Sequence, residues 1–392
     1  QVSLFGLFAG YSFLPQSLSY NHLTVVLACC WLALISGEVT KSKTTFLIGL
    51  ILGVLVYVKI STAFLLALVS GFFIFSKRPS FKQLGLIVLP YFLLELIFYF
   101  LLDTSASIRL WSGMGMMMGR QEYALATLFK HTLVGIFWIG LAFGGTFTIL
   151  KWAKYGWWRS LGIIALSLFL FWITHITEEW NHVVLILSAQ IFAFISFWQR
   201  EKLFGLELEQ SKWILLLIIL PFILHFGSNV YWLRIGIHYW VFWIVAFWIL
   251  LKSAKGFQEK SFGFGLGILS CVLIFTGIWW KPFEQKSLWK SRVSWEYLPG
   301  KKIKLMPEQI QKLRELQSEA EINSQVQILA AYRISGIPFL LGKTMPKSPG
   351  FWDQDQLKTY FPDSLPDVPL IFNPISELPY SSGPSPILLT EF

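Results

Sequence analysis

The stretch Thr45–Ser76, TFLIGLILGVLVYVKISTAFLLALVSGFFIFS, decides how the chain is built. Its only charged residue is Lys59, near the middle. As a single helix it would be about 48 Å long, far more than the ~30 Å of a bilayer's hydrocarbon core even with strong tilt. A charge deep in hydrocarbon is also costly. Two helices, 45–58 and 60–76, broken at Lys59, satisfy both constraints.

The same pattern repeats on either side. Apolar blocks such as Phe46–Val58, Leu84–Leu102, Leu161–Ile176 and Trp213–Phe226 have the length of spanning helices. The period-two alternation of barrel strands is absent. About eleven membrane segments are expected: 2–16, 22–36, 45–58, 60–76, 84–102, 126–150, 160–176, 183–198, 213–226, 230–251 and 262–280. Composition agrees, because 55% of the residues are hydrophobic and only 14% charged, against roughly a quarter charged in soluble domains. The fold class expected is a polytopic α-helical membrane protein with a small C-terminal extracytoplasmic α/β domain.

Lys and Arg fix the sidedness. One set of connections holds Lys41 and Lys43; Lys77, Arg78 and Lys82; Lys151, Lys154 and Arg159; Arg200, Lys202 and Lys212; and Lys252, Lys255 and Lys260. The alternate connections, Ser17–Asn21, Lys59–Ser61, Asp103–Tyr123, His175–His182 and Gly227–Asn229, are poorer in both. By the positive-inside rule the rich set is cytoplasmic. The net charge of +10 therefore reflects loops at a membrane, and no nucleic-acid partner is expected. Residues 1–280 form the transmembrane helical domain, and 281–392 a soluble domain outside. Within the latter, Pro307–Gln327 reads as a polar helix with Pro in its first turn. Gln327–Tyr332, Pro338–Leu341 and Pro369–Phe372 read as strands, and Pro379–Pro386 as loop. Cys29, Cys30 and Cys271 lie in apolar blocks, so cysteine supplies neither a disulfide framework nor a metal site to the soluble domain. The chain opens at Gln1 without Met, and an N-terminal truncation is expected.

The Lys-poor connections carry most of the unusual polar residues. Lys59 is a candidate lipid-phosphate ligand, since an ammonium is a compact charge suited to phosphate; the alternative is a lysine snorkelling from a helix end. Arg109 and Arg120 lie in the longest outer connection, DTSASIRLWSGMGMMMGRQEY (Asp103–Tyr123), and could clamp phosphate in bidentate fashion. Asn21 and His22 precede the second segment, and Asn229 lies between the ninth and tenth. HITEEWNH (His175–His182) offers Glu178 and Glu179 as a general base or metal-coordinating carboxylate, the alternative being a solvated helix-to-helix turn; its histidines are seven apart and the helical zinc signature is absent. No metal or other cofactor is expected. The phosphate-cradling Gly-Lys-Ser/Thr loop, the dinucleotide fingerprint and the Gly-x-Ser-x-Gly elbow are also absent.

Four stretches resemble the polytopic glycosyltransferases of the GT-C superfamily, of the dolichyl-phosphate-mannose-protein mannosyltransferase and aminoarabinose transferase type. They are SLSYNHLTVVLACCWLAL (Ser17–Leu34), GLILGVLVYVKISTAFLL (Gly49–Leu66), Gly227–Asn229 and SGIPFLLGKTMPKSPGFW (Ser335–Trp352). At the end of the second stretch the family has Lys-Pro-Ser or similar, and Ile60 replaces that Pro. The resemblance implies transfer of a sugar from a polyprenyl-phosphate donor to a lipid, glycan or protein acceptor, outside a bacterial inner membrane. It also places the family's catalytic acidic residue in the first outer loop, before this chain begins. Competing readings are a transporter or flippase, a ligase or polymerase of lipid-linked glycans, and an assembly subunit without chemistry. A transporter is expected to show midplane charges or repeated halves, and neither is evident.

Overall fold

The computed structural model describes residues 20–39, 41–103, 105–108, 110–111, 125–176, 183–198, 207–227, 235–252, 260, 263–265, 267–268, 271, 288–332, 334–346, 351, 354–373 and 386–388. The chain divides into two compact units, a helical one reaching Gln285 and a C-terminal one from Lys286 onward.

Within the helical unit the described helices are α1 (Tyr20–Ile35), α2 (Ser42–Val58), α3 (Ile60–Phe75), α4 (Phe81–Leu102), α5 (Leu125–Trp152), α6 (Gly156–Ile176), α7 (Val183–Trp198), α8 (Leu208–His225) and α9 (Ile235–Lys252). Each falls on one of the expected apolar segments. The expected segment at 2–16, and all but a few residues of that at 262–280, lie outside the described residues. Four described stretches, Phe81–Leu101, Thr132–Trp152, Gly156–Ile173 and Leu208–His225, are long and apolar enough to cross a membrane. Large apolar side chains such as Phe92, Phe100, Leu168 and Trp172 stay exposed on α4 and α6, as lipid-facing side chains do. These features are those of a helical membrane protein.

The helix directions follow from side-chain contacts. Gly49 and Gly53 of α2 lie against Ile87 and Tyr91 of α4, and Tyr57 stacks on Phe98 at 4.1 Å. The two helices therefore run parallel, and α3 between them must run back. The break is Lys59 itself, which ends α2 and opens α3 in an extended conformation (φ −157°, ψ 94°). Trp31 of α1 donates to Ser70 of α3 at 2.8 Å, eleven residues on from where Lys59 approaches Tyr20; these two are parallel. Phe73 meets Trp213 while Thr62 reaches Leu224, so α8 opposes α3. Tyr239 and Trp243 donate to the carbonyls of Leu224 and Ile218, so α9 opposes α8. In the other group, Gly145 meets Leu166 and Gly162 meets Ile149, setting α5 and α6 antiparallel. Phe143 with Phe192 and Phe147 with Phe197 make α5 and α7 parallel. In each group, odd-numbered helices run one way and even-numbered ones the other.

The C-terminal unit opens with a one-turn 3₁₀ helix (Leu288–Lys290), then an antiparallel hairpin of β1 (Val293–Leu298) and β2 (Lys301–Leu305). Next come α10 (Pro307–Ser318), α11 (Ala320–Ser324), β3 (Leu329–Ala331), α12 (Gly336–Leu340), α13 (Gln354–Tyr360), β4 (Leu370–Phe372) and β5 (Pro386–Leu388). Strands β3, β4 and β5 form a parallel sheet in that order. Ala330 and Ile371 pack into one apolar cluster with Leu313 and Ile337. Their neighbours Leu329, Ala331, Leu370 and Phe372 pack on the other side with Phe351 and Leu357. Burial on both faces explains why β3 and β4 are wholly apolar.

Three expectations for this unit need correction. Pro338–Leu341 is not a strand: Pro338–Leu340 belong to α12, and Leu341 caps it, donating its N–H to the Ile337 carbonyl at 3.0 Å. A four-residue apolar run carries no period, and Pro338 is tolerated because first-turn residues need no N–H partner. The polar helix is shorter than Pro307–Gln327, ending at Ser318 and resuming as α11. The end of the expected loop, Pro386, opens β5, while 379–385 lie outside the described residues.

The α2–α4 contact is backbone against backbone. A Cβ on Gly49 would sit 2.2 Å from the Ile87 carbonyl oxygen, whereas one on Gly85 of α4 would meet nothing within 4 Å. Gly49→Ala is expected to cost about 1–3 kcal/mol through overpacking, and Gly85→Ala to be neutral or slightly stabilising. Thermal unfolding in detergent checks both; equal midpoints for the two variants would refute this contact.

Candidate functional site

At the C-terminus of a helix the last carbonyls have no intrahelical N–H partner. In α8 that end is buried at Leu224 and His225, and side chains from other helices meet it. The Leu224 carbonyl accepts from the Lys59 ammonium, from the Tyr239 hydroxyl at 3.1 Å and from Thr62 Oγ1 at 3.5 Å. The Phe226 carbonyl accepts from Ser61 Oγ at 2.8 Å. Gly227 then turns the chain with φ +78°, in a place where a Cβ would lie 2.6 Å from Ser61 Oγ. A cation here also complements the negative end of the helix dipole.

Around this point the structure gathers a polar cluster. Lys59 is buried at 7% exposure, and its ammonium lies 6.0 Å from the centroid of the half-exposed Tyr20 ring. Asn21 and His22, in the first turn of α1, are buried. Asn21 Oδ1 is 3.3 Å from the Tyr239 hydroxyl. That hydroxyl carries one proton, so it donates to either Asn21 or Leu224 at a given moment. His225 is buried and stands edge-on to Tyr239, with ring centroids 6.4 Å apart.

Three sequence-expected residues, Asn21, His22 and Lys59, thus come together, and the helix ends that meet are those beside Lys-poor connections. Arg109, Arg120, Glu178, Glu179 and Asn229 lie outside the described residues. Among the described residues, no group of three His, Cys, Asp or Glu is placed to hold a metal. The cluster supplies a cation, imidazoles, a phenol and a carboxamide. It is suited to holding an anionic or hydroxyl-rich group.

Sequence reasoning missed Tyr239, Thr62 and His225, and a second polar centre altogether. Glu95 lies inside the apolar helix α4 and accepts from the Tyr57 hydroxyl. The Ala106 N–H donates to it at 3.1 Å, and the Tyr91 and Ser107 hydroxyls approach at 3.4 and 3.5 Å. The chain leaves α4 through Asp103, at φ 51°, and folds back so that Ala106 reaches this carboxylate. A lone Glu within Leu84–Leu102 was the available signal.

No family model, curated protein or solved structure matches this chain.

Lys59→Ala removes a charged donor from a buried carbonyl and is expected to destabilise the substrate-free protein by roughly 1.5–3 kcal/mol. Tyr239→Phe is expected to cost about 1 kcal/mol. Unfolding in detergent without any lipid-linked donor tests both. A lysine serving only to bind lipid phosphate would leave the midpoint unmoved.

Proposed function

We propose that this protein is a multi-pass membrane glycosyltransferase that moves a sugar from a polyprenyl-phosphate donor to a lipid, glycan or protein acceptor. The reaction takes place on the extracytoplasmic face of a bacterial inner membrane, where the C-terminal unit also lies. The observation that carries the reading is the buried cluster of Lys59, Asn21, His22, His225 and Tyr239 at the Lys-poor ends of α1, α3, α8 and α9. The alternating helix directions within each group support the sidedness. The GT-C resemblance of Ser17–Leu34 and Gly49–Leu66 supplies the reaction class.

In this reaction the acceptor hydroxyl oxygen attacks the anomeric carbon, the bond from that carbon to the phosphate oxygen breaks, and the polyprenyl phosphate leaves. A carboxylate receives the hydroxyl proton. The transition state is oxocarbenium-like, and negative charge grows on the departing phosphate, where fixed cations lower the barrier most. Arg109 and Arg120 are assigned to the phosphate and Glu178 or Glu179 to the proton. Lys59, occupied with the Leu224 carbonyl, contributes its charge from behind the cluster and holds the site's wall in place. Asn21, His22 and Asn229 are assigned to contacts with the donor.

The test is transfer by the natural full-length protein in liposomes with a radiolabelled polyprenyl-phosphate sugar. Transfer is expected, falling at least roughly tenfold in Arg109→Ala and Arg120→Ala with unchanged unfolding midpoints. Solute uptake without transfer from any donor would overturn the reading in favour of a transporter.

A further inference from the structure

The β1–β2 hairpin has two unlike faces. Trp295 and Tyr297 point into the C-terminal unit: Trp295 Nε1 donates to the Leu340 carbonyl at 2.6 Å, and Tyr297 packs on Phe339 with centroids 4.8 Å apart. Side chains alternate along a strand. Ser294 and Glu296, opposite Lys304 and Lys302 in the register, therefore face the other way. Between Lys286 and Leu305 the sequence holds six cations and one carboxylate. Lys290, Arg292, Lys301, Lys302 and Lys304 are all exposed. The carboxylate, Glu296, is held below the usual range by the Gly300 N–H, 3.0 Å away, and by Lys302. It offsets one charge through its 3.6 Å pair with Lys302, the only ion pair of this patch among the described residues. The patch keeps a strong positive excess.

Apolar side chains are interleaved with the cations. Trp289 and Leu298 are 37% and 38% exposed, while Val293 and Ile303 share the Trp295 face in the register. A soluble polyanion would satisfy the lysines and leave Trp289 and Leu298 in water. A bilayer surface meets both needs, since phosphates and anionic headgroups take the cations while Trp and aliphatic side chains enter the boundary with the acyl chains. In sequence, the patch follows directly on the apolar segment 262–280.

We propose that the outward face of this hairpin, with the turn at Leu288–Lys290, binds the anionic headgroups of a phospholipid bilayer. Attraction of this kind is summed over several lysines and is screened by salt. It stands whether or not the chain transfers sugars.

Hydrogen exchange of the intact protein in nanodiscs tests it. Two lipid compositions are compared, phosphatidylcholine alone and phosphatidylcholine with about a third phosphatidylglycerol. Peptides covering 288–305 are expected to exchange at least roughly fivefold more slowly in the anionic discs, with the difference lost at 0.5–1 M salt. It should also be lost in the triple variant Lys301→Gln, Lys302→Gln, Lys304→Gln. Peptides from β3 and β4 must exchange alike throughout, which shows that the variant is folded; should it not be, Lys304→Gln alone is expected to give a partial loss. Equal exchange in the two lipids overturns the proposal. So does protection that appears only on adding heparin as a soluble polyanion.

Discussion

The carbonyl of Leu224 is the point on which the helical unit's organisation turns. A helix end buried among apolar side chains leaves acceptors that water cannot reach, and an unmet buried carbonyl costs about 1–3 kcal/mol. The donors come from two other helices: Lys59 and Thr62 at the start of α3, and Tyr239 on α9. One backbone atom therefore fixes the meeting of α3, α8 and α9. Tyr239 extends the connection to Asn21, and so to the first turn of α1. The candidate site is a consequence of capping a helix where no solvent is available to do it.

A second constraint works on the other side of α2. Gly49 and Gly53 let the backbone of α4 approach at a distance no side chain would permit. That approach puts Tyr57 beside Glu95 and lets a carboxylate sit in an apolar helix with its oxygens occupied by donors. In hydrocarbon, such a group is tolerated only when its hydrogen bonds are made within the protein. The glycine contact and the carboxylate are thus one arrangement. Removing the close approach would take the Tyr57 hydroxyl away from Glu95.

The helices were legible because bilayer thickness converts block length directly into structure, and the reversal at Lys59 followed from length and charge together. The ends of α5 and α8, extended by a few polar or aromatic residues such as Trp152 and Glu209, were less sharp because helices continue past the apolar run. In the C-terminal unit, VSWEYLPGKKIKL contained the alternation and the Pro-Gly turn of a hairpin, yet its many charges hid it. Within the site, Asn21, His22 and Lys59 were visible as polar residues at the ends of apolar blocks. Tyr239 was not, because a tyrosine in an apolar run reads as core. The acceptor that organises them has no sequence signature at all, being a main-chain carbonyl selected by the fold.

This arrangement also divides the chemistry among different parts of the chain. The cluster around Leu224 offers positive and neutral donors, and the carboxylate inside α4, Glu95, already receives the Tyr57 hydroxyl and the Ala106 N–H. A general base must have an oxygen open to the proton it takes. Glu95 is built instead as a fixed acceptor that holds the chain leaving α4, the connection that carries Arg109 and Arg120. The proposed transfer then takes its base from an outer connection, either the first outer loop, where the GT-C resemblance puts the catalytic acid, or Glu178 and Glu179 between α6 and α7. In the proposed reaction the helix ends bind and orient, and the Glu95 centre holds the start of the connection that follows α4.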